Sequence, residues 1–106
     1  FYEASSFNQD LSKWNTSAVT TMYAMFHEAS AFNGDISSWD TSAVTDMSYM
    51  FGNATSFNQN LCAWKDQFPY DIATDIFLDS GCMFQGNPHP QIETQGPFCA
   101  SNCSNR

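Results

Sequence analysis

"FNGDISSWDTSAVTDMSYMF", residues 32–51, decides the fold because a near-copy precedes it, "FNQDLSKWNTSAVTTMYAMF" at residues 7–26. A third copy begins with "FNQNLCAW" at residues 57–64. Residues 1–25 and 26–50 are identical at 16 aligned positions. A fixed period of about 20–29 residues is typical of leucine-rich-repeat-like solenoids, in which neighbouring coils bury a shared core. We therefore expect equivalent residues of successive repeats to stack on one another.

Each repeat contains two kinds of apolar spacing. From Val19 to Ala29 the apolar residues stand three or four positions apart, as on one face of a helix, and Thr16 or Ser17 precedes them as a candidate N-cap. Residues 7–14 are short and interrupted by polar residues, which favours an extended strand. The pattern predicts an α/β fold: a right-handed leucine-rich-repeat-like solenoid of about three 25-residue coils, each with a short strand and a short helix.

The third repeat diverges after Trp64, where "WDTSAVTDM" is replaced by "WKDQFPYDI". We therefore divide the chain into repeat coils at residues 1–64 and a divergent last coil with a C-terminal cap at residues 65–106. Within the first part the coils are 1–25, 26–50 and the start of a third, 51–64. A cap would cover the apolar end of the last coil. The first coil has no such cap, so we expect further coils before Phe1, or a partner chain, to cover it.

The four cysteines lie in the C-terminal half, at Cys62, Cys82, Cys99 and Cys103. An even number in one terminal segment favours disulfides in a secreted protein that staple the cap. Three pairings are formally open. We favour Cys62 with Cys82, which would join the last strand to the end of the last helix, and this leaves Cys99 with Cys103.

The charge and the sequons restrict location and partners. Three basic residues against 11 acidic ones give a net charge of −8, which argues against nucleic acid and anionic membranes as partners. No apolar run approaches the roughly 20 residues of a membrane span, so we expect no membrane insertion of this segment. Three sequons permit N-glycosylation in a secretory pathway, at Asn15, Asn53 and Asn102.

Two columns of identical residues have structural explanations. An asparagine in each repeat would form a ladder whose amides satisfy backbone groups of neighbouring turns. A tryptophan in each repeat would pack as a large side chain in the core, and the competing hypothesis is a row of exposed rings that stack on sugars. The residues are Asn8, Asn33 and Asn58, and Trp14, Trp39 and Trp64.

A third column carries the one metal hypothesis. Asp10, Asp35 and Asn60 would bring hard oxygen ligands together, which suits weak calcium binding. The competing explanation is that each side chain accepts hydrogen bonds from its own turn. His27 and His89 stand alone, and no nucleophile motif or phosphate loop is present. We therefore expect no enzyme activity and no cofactor other than calcium.

The stretch "MFHEASAFNGDISSWDTSAVTDMSYMF" resembles the repeat of BspA-like surface proteins, also found in mycoplasma surface lipoproteins. The resemblance covers roughly residues 1–64, and the cysteine-bearing end resembles the caps of such arrays in microalgal, diatom-like proteins. It implies a leucine-rich-repeat-type solenoid in a secreted or surface-anchored protein, often linked to adhesion or matrix contacts, and it transfers no catalytic residues.

The expected function is that of a non-catalytic extracellular module that presents a repetitive polar surface to proteins or matrix. One alternative is an assembly subunit of a filament or larger surface complex, which associates with itself through the open N-terminal coil. Another is a weak calcium- or glycan-binding module.

Overall fold

The fold consists mainly of consecutive turns. The computed structural model describes residues 4–88, 97–101 and 103, and the only helices in these ranges are two short 3₁₀ helices, Cys62–Gln67 and Tyr70–Ile72. The same ranges contain no strand longer than an isolated bridge, such as the parallel bridge between Thr21 and Asp46. The predicted α/β solenoid, with a strand and a helix in every coil, is therefore wrong.

Residues 22–29 show why no helix forms. The Met25 N–H donates to the Met22 carbonyl at 3.1 Å, and the Ala29 N–H donates to the Phe26 carbonyl at 2.9 Å, so the turns close over three residues. Ala24 (φ 53°) and Glu28 (φ 61°) adopt the left-handed conformation. A left-handed residue at every fourth position interrupts the i to i−4 bonding of an α-helix. The apolar spacing predicted as helical therefore belongs to a run of turns.

Every second N–H of this run bonds to the next repeat. The acceptors for Met22 and Ala24 are the carbonyls of Asp46 (2.9 Å) and Ser48 (3.0 Å). Phe26 donates in the same way to Met50 at 2.8 Å. The pattern recurs one repeat later, from residues 47–53 to 72–78. The chain thus forms three stacked layers, which we define as residues 4–28, 29–53 and 54–79.

The core between the layers contains two columns of phenylalanine. Rings within a column lie 5.6–5.9 Å apart, and the two columns touch at 4.3 Å between Phe26 and Phe32. All of these rings except Phe7 are fully buried. The columns are Phe26, Phe51 and Phe77, and Phe7, Phe32 and Phe57. Because each ring needs an equivalent ring in the next layer, the packing explains the repetition of the sequence.

Residues 97–101 return over the third layer. The Ala100 N–H donates to the Gln59 carbonyl at 3.1 Å, and the Phe84 N–H donates to the Cys99 carbonyl at 2.9 Å. The Phe98 side chain of this segment is fully buried.

The returning segment also determines which cysteines pair. Cys62 pairs with Cys103, and Cys82 pairs with Cys99, with Cα–Cα distances of 5.9 and 4.7 Å. The predicted pairing of Cys62 with Cys82 and of Cys99 with Cys103 is wrong, because the antiparallel contact of Phe84 with Cys99 brings Cys99 next to Cys82.

Within the described ranges, no helix is both long and apolar enough to cross a membrane. The division of the chain at residue 64 stays a prediction.

Candidate functional site

Turns of one kind build the candidate site in each layer. The Asp10 Oδ1 accepts the Ser12 N–H at 2.9 Å. The Asp35 Oδ1 accepts the Ser37 N–H at 3.0 Å and the Ser37 hydroxyl at 2.7 Å. The Asn60 Oδ1 accepts the Cys62 N–H at 2.9 Å. Each side chain thus bonds the backbone two residues on, as aspartate and asparagine do in turns.

These turns line two adjoining depressions that share Asp35. We call them together the polar groove, and it crosses all three layers. Its polar lining consists of carboxylate, amide and hydroxyl groups. The residues of the first depression are Asn8, Gln9, Asp10, Ser12, Gly34 and Asp35, and those of the second are Asp35, Ser37, Gln59, Asn60, Cys62 and Ala63.

The groove carries negative charge at neutral pH. The Ser12 N–H and hydroxyl hold the pKa of Asp10 below its ordinary value, and the Ser37 N–H and hydroxyl do the same for Asp35. The negative charge of Asp10 acts in the opposite direction and raises the pKa of Asp35, because two like charges repel. Both side chains are exposed, so both are ionised and accessible to a partner.

The calcium hypothesis for Asp10, Asp35 and Asn60 stays a prediction. The structure places the three side chains along one groove, where two carboxylates and one amide could contribute oxygen ligands. Across the described ranges, no cluster of three or more His, Cys, Asp or Glu side chains is arranged to hold a metal ion.

The asparagine column adjoins the groove, and Asn8 lines its first depression. The Asn8 Oδ1 accepts the Asn33 N–H at 3.1 Å, and the Asn33 Oδ1 accepts the Asn58 N–H at 2.8 Å. The Asn58 Oδ1 then accepts the Met83 N–H at 3.1 Å, above the third layer. Each side-chain oxygen therefore fixes the backbone of the following layer. The structure brings these three predicted residues into one continuous ladder.

Sequence reasoning missed Gln59 and Gly34. The Gln59 Nε2 donates to the Asn33 carbonyl at 2.9 Å and to the Asn33 Oδ1 at 3.0 Å. A Cβ on Gly34 would lie 2.9 Å from the Phe32 ring, so glycine lets the backbone pass close to this buried ring. The alternation of Gln9, Gly34 and Gln59 at equivalent positions was the signal that could have identified them.

The tryptophans are packing residues at different depths. Trp39 is 4% exposed, and its Nε1 donates to the Leu11 carbonyl at 2.8 Å. Trp14 is 49% exposed and stacks on Trp39 at 6.4 Å, nearly parallel. Trp64 is 1% exposed and lies 6.4 Å from the Phe51 ring. Two of the three therefore offer no face to a sugar.

Two sequon asparagines are accessible. The Asn15 Oδ1 accepts the Ser17 N–H at 3.1 Å in an exposed turn. Asn53 is exposed with a left-handed backbone, φ 59°. Asn102 lies outside the described residues, as does His89.

Comparison with family models gives a match over residues 1–87 to a family described as "Mycoplasma protein of unknown function, DUF285". No curated protein and no solved structure matches the chain significantly.

Proposed function

The chain belongs to the Mycoplasma family of unknown function DUF285, and from this premise we propose that it is a non-catalytic adhesion module that binds basic segments of extracellular or matrix proteins through the polar groove. The two disulfides are compatible with an extracellular location. The proposal includes the finer assignment to BspA-like surface proteins, for which the repeat pattern is the support, and to the capped arrays of microalgae, which the cysteine-bearing end resembles.

The observation that carries the proposal is the free oxygen on each groove carboxylate. In the described ranges, the turn hydrogen bonds of Asp10 and Asp35 go to Oδ1, and no hydrogen bond reaches Oδ2 of these exposed side chains. The layers repeat these oxygens along the groove, and the chain carries a net charge of −8. An extended partner with lysine or arginine side chains would meet one carboxylate oxygen in each of the first two layers.

The double variant Asp10→Asn with Asp35→Asn tests the proposal. It keeps an oxygen for each turn but removes both charges from the groove. The matched control, Asp66→Asn with Asp71→Asn, removes two exposed charges outside the groove, one in each 3₁₀ helix. Binding of a panel of basic matrix proteins is measured by surface plasmon resonance at several salt concentrations.

We expect the groove variant to bind at least about tenfold more weakly, while the control binds like the unchanged chain. Equal loss in both variants would mean that net charge alone attracts the partner, and the proposal would fail. Calcium is added in a parallel measurement of Tm. A rise in Tm of the unchanged chain that is absent in the groove variant would assign the groove to ion binding instead.

A further inference from the structure

Asn33 and Gly34 form the only Asn-Gly pair in the sequence. In such a pair the peptide nitrogen of the glycine can attack the side-chain amide carbon of the asparagine, because no Cβ on the second residue hinders the approach. In the first and third layers, glutamine follows the equivalent asparagine, so the second layer alone combines this asparagine with glycine. The equivalent pairs are Asn8 with Gln9 and Asn58 with Gln59.

The pair lies at the surface beside the polar groove. The Asn33 side chain is exposed, and Gly34 lines the first depression of the groove. Across the residues that the structure describes, no hydrogen bond occupies the Gly34 N–H. The nitrogen that would attack is therefore free to lose its proton, and water can reach the amide that it would attack.

Two donors hold the Asn33 amide in the ladder. Its Oδ1 accepts the Asn58 N–H at 2.8 Å and the Gln59 Nε2 at 3.0 Å. The same Nε2 donates to the Asn33 backbone carbonyl at 2.9 Å, so it ties the side chain to its own peptide group. Ring closure requires the side chain to rotate toward the Gly34 nitrogen, and these bonds oppose that rotation. The ladder therefore slows the attack and leaves the pair accessible to water.

We propose that Asn33 is a site of spontaneous deamidation and that the ladder determines its rate. The deprotonated Gly34 nitrogen bonds to the Asn33 Cγ, the bond from Cγ to Nδ2 breaks, and Nδ2 leaves as ammonia with the proton. Water then opens the cyclic imide at one of its two carbonyl carbons, which yields aspartate or isoaspartate. The net reaction consumes water and releases ammonia, and it needs no cofactor.

Either product adds a negative charge beside a groove that already contains Asp10 and Asp35. Aspartate keeps an oxygen for the Asn58 N–H, so the ladder survives. Isoaspartate lengthens the backbone by the carbon that the side chain loses, which shifts the oxygen out of register with the next layer. The conversion does not depend on the adhesion proposal, because it is measured as a change of mass and charge and not as binding.

The intact, oxidised chain is incubated at neutral and at mildly alkaline pH, digested under mildly acidic conditions, and mapped by mass spectrometry. We expect the mass gain that accompanies exchange of an amino group for a hydroxyl at Asn33, with both products present. The conversion should be faster at alkaline pH, because the deprotonated nitrogen attacks. Asn8 and Asn58 are controls within the same molecule and should stay unchanged. Absence of conversion at Asn33, or equal conversion at either control, would overturn the proposal.

The variant Gln59→Ala tests the role of the ladder, since it removes the Nε2 that holds both oxygens of Asn33. Asn33 should convert about three- to tenfold faster than in the unchanged chain. The matched control is Gln9→Ala, whose side chain makes no hydrogen bond within the described ranges, and it should leave the rate unchanged. Circular dichroism at the incubation temperature checks that both variants are folded. Equal rates in the two variants, or slower conversion in Gln59→Ala, would show that the ladder does not determine the rate.

Discussion

At the scale of single residues, asparagine oxygens fix one layer to the next. Asn33 makes the most of these bonds, because its Oδ1 accepts hydrogen bonds from both the Asn58 N–H at 2.8 Å and the Gln59 Nε2 at 3.0 Å. Asn8 makes one such bond, to the Asn33 N–H at 3.1 Å. All three asparagines of the ladder are exposed, so water competes for these bonds and each contributes only modestly to stability.

The variant Asn33→Ala should lower the free energy of unfolding by about 1–2 kcal/mol, because two hydrogen bonds lose their acceptor. Asn33→Asp keeps an oxygen at the same position and should cost less. Urea unfolding with the disulfides intact measures both. Asn8→Ala, which removes one bond, is the control and should also cost less. A loss for Asn33→Ala no greater than that for Asn8→Ala would contradict this role of Asn33.

The residues of this ladder could be predicted from the sequence, since the same asparagine recurs in every repeat. Their donors could not. Backbone N–H groups leave no trace in a repeat pattern, and Gln59 was hidden because its counterpart in the second repeat is Gly34. The column of Asp10, Asp35 and Asn60 was recognised in the same way. Its turn bonds were one of two explanations that the sequence left open.

At the scale of elements, the run of turns takes the place of the predicted helix. Left-handed residues recur at equivalent positions of each layer, and none of them is glycine. Glycine would have marked these turns in the sequence, whereas alanine, glutamate and tyrosine suggested a continuous helix. The equivalent sets are Ala24, Tyr49 and Asp75, and Glu28, Asn53 and Asp79. Apolar residues three and four positions apart fit both an α-helix and this run of turns, so hydrophobic periodicity could not distinguish the two.

Glu28→Gly should be more stable than Glu28→Ala by about 0.5–1 kcal/mol. Glu28 has φ 61° and is exposed, so glycine removes the steric penalty of the left-handed conformation without loss of buried surface. Alanine is the matched comparison, since both variants remove the carboxylate that lies 3.9 Å from His27. Thermal and urea unfolding measure the difference. Greater stability of the alanine variant would mean that residue 28 is not left-handed.

At the scale of the whole molecule, the repeat period determines how the layers pack and the cap determines how the stack ends. The Phe51 ring contacts a ring in the layer on each side, Phe26 at 5.6 Å and Phe77 at 5.8 Å. The position of Phe77 follows from the layer hydrogen bonds, although the third repeat has lost its sequence pattern after Trp64. The disulfide pairing could not be predicted, because it depends on a non-repeating segment that returns across the third layer.

The two disulfides can be tested in a way that distinguishes the observed pairing from the one expected from the sequence. The bond from Cys62 to Cys103 spans 41 residues and that from Cys82 to Cys99 spans 17. On the chain-entropy account, replacing the first pair with serine should lower the free energy of unfolding by about 4 kcal/mol, and replacing the second by about 3 kcal/mol. Urea unfolding measures both, with the unchanged oxidised chain as reference.

Proteolytic mapping without reduction should recover Cys62 joined to Cys103. A fragment joining Cys62 to Cys82 would overturn the pairing, and with it the arrangement in which residues 97–101 close the third layer.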